Sequence, residues 1–274
     1  MKRLVLVDGN ALLHRAYHAT PPLTTSKGEL INAVFGFTNL LLKGMNDLKS
    51  DYIAIAWDMR APTFRHTAYE AYKGTRKPAD EALNGQYDRV HEIVQSFNIP
   101  EYKLAGFEAD DLVGSLARQA EKRQDLEVII ITGDRDIMQL ISKKIKVLMP
   151  KKTLTDVGLY GIDEFVERFG FEPKQLIDYK SLAGDASDNI PGVPGIGDVS
   201  ATKLVKTYGS LAKVYQHLDQ LPERMRKLLE LGKDSAEMSL KLATIATEIP
   251  IKLDLTACKV HNFDLQKVKN LFEE

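Results

Sequence analysis

Nine acidic residues stand where they could act together: Asp8, Asp58, Glu108, Asp110, Asp111, Asp134, Asp136, Asp185 and Asp188. Several follow aliphatic runs directly. Val7 leads into Asp8, Trp57 into Asp58, and Thr132-Gly133 into Asp134, with Asp136 two residues on. Glu108-Ala109-Asp110-Asp111 opens an amphipathic run, and Asp185 and Asp188 precede a glycine-rich loop at one-turn spacing. Taken singly, each has a plainer role. Asp8-Gly9 is a turn signal, and an acid after a strand or in a first helical turn caps the helix. Taken together, so many carboxylates near one point repel one another unless cations neutralise them. Oxygen donors without a Cys or His set of zinc spacing select a hard cation, Mg2+ or Mn2+. Two such ions about 4 Å apart, clamping the attacking and leaving oxygens, hydrolyse phosphodiesters. Glu108 and Asp111, three apart, share a side of their helix and are expected to face one cation.

These acids meet only if the strands are parallel. Residues 3–7, 52–57 and 127–132 are continuous β-branched and aliphatic runs, the pattern of strands covered on both faces. Between them Val34, Phe37, Thr38, Leu41 and Met45, then Ala109, Leu112, Val113, Leu116, Ala117 and Ala120, recur at helical spacing. The expected fold is a doubly wound α/β domain over residues 1–162, whose ligands bind beyond the carboxyl ends of the strands. The strands of this domain are expected to close with a fourth run, 145–149, after which Pro150-Lys151-Lys152 reads as an edge. Residues 71–86, polar and basic through Lys73, Arg76 and Lys77, predict a protruding loop or helical arch within about 60–90.

From residue 163 to 274 the pattern is helical alone. Ala201, Leu204, Val205 and Tyr208 form one apolar face, Gly209 a stop, Ser210 an N-cap, and Leu211, Val214, Tyr215 and Leu218 the next face. The loop Pro191-Gly192-Val193-Pro194-Gly195-Ile196-Gly197 ahead of them is either an ordinary interhelical turn or a nest of amides that holds a phosphate. Lys203 and Lys206 lie on the helix that follows.

Composition narrows the classes further. With 44% hydrophobic and 27% charged residues in 274, the chain is neither disordered nor fibrous. Its apolar runs fall short of the roughly 18 residues of a membrane span, and the four before Asp8 are too few for a signal core of about seven. A single cysteine, Cys258, fits a reducing cytoplasm. Lys and Arg number 37 against 38 acids, but setting the nine candidates aside leaves 29, an excess of eight positive charges suited to a polyanion.

The motifs Leu6-Val7-Asp8-Gly9, His14-Arg15-Ala16-Tyr17-His18-Ala19, Phe64-Arg65, Tyr72-Lys73 with Arg76, Glu108-Ala109-Asp110-Asp111, Thr132-Gly133-Asp134, and Gly184-Asp185 through Ser187-Asp188-Asn189 into the glycine loop occur in order. Over nearly the whole chain they resemble the bacterial 5′ nuclease family, most of all the 5′→3′ exonuclease domains carried at the N-terminus of DNA polymerases, which are related to phage 5′ nucleases and flap endonucleases. The resemblance implies a PIN-like core with a mostly parallel sheet, a helical arch, and a helix-three-turn-helix domain that binds DNA. It implies a first metal served by Asp8, Asp58, Glu108, Asp110 and Asp111, and a second by Asp134, Asp136, Asp185 and Asp188. Lys73 and Arg76 would approach the scissile phosphate from the base of the arch, and Tyr72 would stack on a base. Gly192, Gly195, Gly197 and Lys203 would contact duplex phosphates, with K+ at the loop. The implied substrates are DNA with 5′ ends or flaps and RNA primers on DNA, and the implied partner is a fused or associated DNA polymerase. The chain is expected to act as a monomer, away from membranes. One departure is that Asp198-Val199-Ser200-Ala201 replaces the usual Glu-Lys-Thr-Ala, so a phosphate-contacting lysine is missing at Val199.

Other readings are a catalytically silent duplex- or flap-binding module, which the complete acid set argues against, and a PIN-type ribonuclease, which would lack the glycine loop and second domain. A haloacid-dehalogenase-like phosphatase would need Asp-x-Asp where Asp8-Gly9-Asn10 stands.

Overall fold

The first strand, β1 (Lys2–Asp8), is buried from Leu4 onward because it lies in the middle of a six-stranded sheet. A computed structural model describes residues 1–76, 80–150, 156–260 and 263–273. Helices α1 (Gly9–Ala19) and α2 (Asn32–Asn46) lead to β2 (Tyr52–Ala56), and α3 (Phe64–Ala68), α4 (Glu81–Asn84) and α5 (Tyr87–Ser96) lead to β3 (Glu101–Tyr102). Then α6 (Ala109–Glu121) precedes β4 (Leu126–Ile131), β5 (Ile145–Pro150) and β6 (Val157–Tyr160). The order is β3-β2-β1-β4-β5-β6, all parallel except β6 against β5. The edge beyond β5 is therefore β6, opposite β3; the expected edge at Lys151-Lys152 lies outside the described residues. Of the expected arch, α3, α4 and the turns between them are seen, and Lys77 is outside the described residues.

Alternate side chains of each strand feed two cores. Leu4, Leu6, Val128 and Ile130 pack with α6, while Val5, Val7, Ile129 and Ile131 pack with α1, α2 and α5. This is why the strands read as continuous apolar runs. Trp57, at the end of β2, stacks on Phe37 with ring centroids 5.9 Å apart and also covers Gly9, where a Cβ would meet the indole at 2.5 Å. The Asp8-Gly9 pair is thus a close-packing site at the start of α1.

The helical unit follows: α7 (Ile162–Phe169), α8 (Leu176–Ala183), α9 (Asp198–Tyr208), α10 (Leu211–Gln216), α11 (Glu223–Leu231) and α12 (Lys233–Ala243). Gly209 ends α9 at φ 87°, and Ser210 caps α10 by accepting from the Lys213 amide at 3.3 Å. The rest of residues 163–274 leaves this unit. Residues 245–260 run back over α6, tied by Ser115 and Gln119, and Ile53 donates to the Cys258 carbonyl beside β2. The last helix, α13 (Leu265–Glu273), packs on α5, with Phe272 edge-on to Phe97.

Candidate active site

Strand register sets the floor of the site. Val7 is level with Ile55 on one side and Ile131 on the other, so Asp8, Asp58 and the 132–136 turn emerge together beyond the sheet. They open into a cleft of about 930 Å³ between the sheet end, α6 and α8. Asp8, Asp58, Glu108, Asp110, Asp134, Asp136 and Asp185 line it, with Lys73, Arg76 and Lys180.

Each acid is held by a local device. Asp8 caps α1, accepting from the Ala11 amide at 3.0 Å, and accepts from the Thr132 hydroxyl at 2.8 Å. Asp58 accepts from the Ala109 amide at 2.7 Å, which links β2 to the start of α6. Asp134 accepts from the Asp136 amide at 2.9 Å, and Asp136 pairs with Lys180. Asp185 accepts from the Ser187 amide and hydroxyl at 2.8 and 2.6 Å and also pairs with Lys180. Asp110 takes no hydrogen bond or ion pair from any described residue.

Burial and crowding raise several of these carboxyls. Asp8 is pushed up to about 7 by burial and then by Asp58, and Asp136 to about 7 by burial and then by Asp134. Asp110 stands well above its ordinary value through burial, Asp134 and Asp8, and Asp58 is raised chiefly by burial. Burial also works on Asp185, but Lys180 outweighs it and holds that carboxyl down at about 2.

Three expected site residues face elsewhere. Asp111 does not share Glu108's outlook: it is fully buried, gripped by Arg65, and accepts from the Glu108 amide at 3.0 Å and the Ala246 amide at 2.8 Å. Its one-turn spacing from Glu108 serves a helix-start hydrogen bond and a buried ion pair. Tyr72 is 3% exposed, its hydroxyl donating toward Glu108 at 3.2 Å and Asp188 at 3.1 Å, with Lys73 over the ring and His66 at its edge. No face of that ring is open for a base to stack on. Asp188 is buried behind the rim, paired with Arg76 at 2.5 Å.

Lys73 and Arg76 stand at the rim. The Lys73 ammonium is 2.8 Å from Glu108 and its amide donates to the Asp188 carbonyl at 2.9 Å, with a left-handed φ of 54°. Burial would lower its pKa, but Glu108 and Asp188 more than offset that and raise it.

The glycine loop divides its glycines between packing and exposure. Gly192, at φ 63°, lies against Gly184, where a Cβ would be 2.2 Å from the backbone nitrogen, and its amide donates to Ser239 at 3.0 Å. That amide is therefore not offered to a ligand. Gly195, at φ 88°, packs on Leu228. Gly197 opens α9 with nothing within 4 Å of a Cβ, and the first-turn amides of Asp198, Val199 and Ser200 have no partner within the helix. Lys203 is exposed on the same helix.

Two residues that reading the sequence missed are Lys180, between Asp136 and Asp185, and Arg65, on Asp111. Arg65 was legible only as part of a motif. Lys180 has no local signal apart from standing five residues before Asp185.

The donor set fits a hard divalent cation: oxygen ligands only, several raised by burial and then by one another in one cleft. Among the described residues no three of His, Cys, Asp and Glu already form a metal shell. The local devices above account for this, since amides, Lys73 and Lys180 occupy most of these carboxylates.

Residues 3–170 match the model of the 5′-3′ exonuclease N-terminal resolvase-like domain, and residues 171–266 that of the 5′-3′ exonuclease C-terminal SAM fold. The chain is 43% identical over 268 residues to DNA polymerase I of Caldicellulosiruptor bescii, covering 97% of this chain and 31% of that protein. It is 40% identical to DNA polymerase I of Bacillus subtilis, covering 100% and 31%. The chain thus spans about a third of the length of these curated relatives. Among solved structures, the T5 5′-exonuclease with bound zinc superposes with a TM-score of 0.71 at 20% identity over 99% of each chain. The catalytic core of Rad2 in complex with DNA substrate gives 0.63 at 18% identity, over 99% of this chain and 86% of that one. These two support the fold, a mostly parallel resolvase-like, PIN-type sheet followed by a helical domain. With matched models over both halves of the sequence, this chain belongs to the 5′-3′ exonuclease family.

Proposed function

We propose that the chain is a metal-dependent, structure-selective 5′ nuclease. It cuts DNA at a 5′ end or flap, and RNA primers annealed to DNA, and leaves 5′-phosphates. One observation carries this reading: seven of the nine candidate carboxylates open into a single cleft at the carboxyl end of a parallel sheet, with Lys73 and Arg76 on its rim. Asp8, Asp58, Glu108 and Asp110 would hold one Mg2+ or Mn2+ ion, and Asp134, Asp136 and Asp185, backed by Asp188, a second. When bound, such ions supply the Lewis-acid charge that activates water and steadies the leaving oxygen. Lys73 donates to the phosphate as negative charge builds there, and Arg76 supports it. The start of α9, with Gly197 and Lys203, holds duplex phosphates without reading bases, with K+ at this loop as the resemblance implies. The partner we propose is a DNA polymerase, fused or associated, because the curated relatives are named for one; the domain itself acts as a monomer in the cytoplasm.

Labelled 5′-flap, nicked and single-stranded DNA incubated with Mg2+ or with EDTA test this. Cleavage near the flap junction in Mg2+ and none in EDTA is expected. Undiminished cleavage in EDTA would refute the metal chemistry.

A further inference from the structure

Lys180 sits on α8 with its ammonium ion-paired to both Asp136 and Asp185, its side chain 12% exposed. The two acids come from different parts of the fold, Asp136 from the turn after β4 and Asp185 from the loop after α8. Its ammonium donates to one carboxylate oxygen of each acid, so a single positive charge bridges the two. The other side of the cleft differs. There the positive charge is Lys73, which pairs with Glu108 at 2.8 Å and acts on Asp110 only at a distance, and neither Asp8 nor Asp110 has an ion pair with any described residue.

We propose that Lys180 is a built-in counter-ion occupying the Asp136–Asp185 half of the centre, and that a second divalent cation must displace it to bind. This inference rests on the nuclease reading. A cation entering beside Asp8 and Asp110 meets two carboxylates that have no ion pair of their own, Lys73 being engaged by Glu108. One entering beside Asp136 and Asp185 meets carboxylates already neutralised by a positive charge on a helix. The two ions therefore bind with unequal affinity, and Lys180 sets the difference. The lysine also keeps two acids that face each other in a buried place from repelling when no metal is present.

Manganese titration by electron paramagnetic resonance and calorimetry, without DNA, tests the idea on the wild-type chain, Lys180→Met, Asp185→Asn and the double variant. Lys180→Met should tighten the weaker ion by about tenfold or more, the range of coupling between neighbouring charges, and leave the tighter ion unchanged. In the Asp185→Asn background the same change should bring no gain. Lys180→Met should also melt below wild type in EDTA, with the gap closing in saturating Mn2+. Lys180→Gln serves as the second variant should Lys180→Met not fold. Unchanged or weaker binding of the second ion in these variants overturns the inference, as does a melting deficit equal with and without Mn2+. A wild-type chain that binds no Mn2+ would instead overturn the nuclease reading.

Discussion

The guanidinium of Arg65 holds both carboxylate oxygens of Asp111 at 2.8 Å where neither side chain is more than 3% exposed. Arg65 also donates to the carbonyls of Leu242 and Thr244 at 2.9 Å, so the pair joins α3, α6 and the end of α12. Removing one member of a buried pair strands the other charge, at a cost of about 3–5 kcal/mol. Asp111→Ala should lose stability of that order in a denaturant titration and, where still folded, bind Mn2+ nearly as well as wild type. Wild-type stability with lost cation binding would put Asp111 back among the ligands.

The raised carboxyls make metal-free stability depend on pH. Asp8 and Asp136 titrate at about 7 in the folded chain against an ordinary value of 3.8, through burial and then acidic neighbours. An acid raised by folding favours the folded state while protonated. Its contribution is complete below the unfolded value and fades as pH rises through about 7. Metal-free protein should therefore melt lower as pH rises from about 4 to beyond about 7, to the extent of these groups. Mg2+, which needs the ionised carboxylates, should cancel the loss, adding about 2.7 kcal/mol at a hundredfold excess over its Kd. Asp185, held at about 2, loses its contribution only below that window. Melts across pH in EDTA and in Mg2+ decide it, and a metal-free melting point rising toward alkaline pH would contradict the assignment.

Lys73→Ala should slow single-turnover cleavage by about a hundredfold to a thousandfold, as expected for one preorganised donor at developing charge, while weakening DNA binding only modestly. Because Lys73 has φ 54°, Lys73→Gly keeps the backbone turn and isolates loss of the ammonium. Arg76→Ala, with a side chain 49% exposed, should show a smaller defect, and Lys77→Ala almost none. Rates at saturating enzyme, beside dissociation constants in Ca2+, distinguish these cases. Equal behaviour of the Lys73 and Lys77 variants would mean that the ammonium has no part in the reaction.

The glycine loop predicts three different outcomes. Gly192→Ala places a Cβ 2.2 Å from the Gly184 nitrogen at φ 63°, so it should destabilise the fold by about 1–3 kcal/mol. Gly197→Ala meets nothing, so it should fold normally and weaken duplex binding if a phosphate approaches there. Val199→Lys, at a position 86% exposed, should tighten binding and steepen its salt dependence by about one ion, equally for unrelated sequences. Filter binding over a salt series reads all three, and a strong preference for one duplex sequence would count against phosphate contact.

The strands most legible in the sequence were those buried on both faces, because burial itself writes the continuous aliphatic run. β3, only two residues long, and β6, with Gly158 inside it, have too little apolar pattern to be seen. The acids at the strand ends were legible for the same reason, since register brings Asp8 and the Asp134 turn to one level. Spacing on α6 was not enough for Asp111, whose partner Arg65 is 46 residues away in sequence. Tyr72 likewise gave no sign that its hydroxyl would be drawn inward by Glu108 and Asp188.

The segment leaving α12 is stitched along α6 by Asp111, Ser115 and Gln119 before it reaches β2. The helical unit thus hangs from the sheet at both of its ends, and a pull on the glycine loop cannot be taken up by one hinge. The exit from α12 meets α6 at Asp111, one residue after Asp110 and three after Glu108, so the way out of the helical unit and the first turn of α6 share a residue.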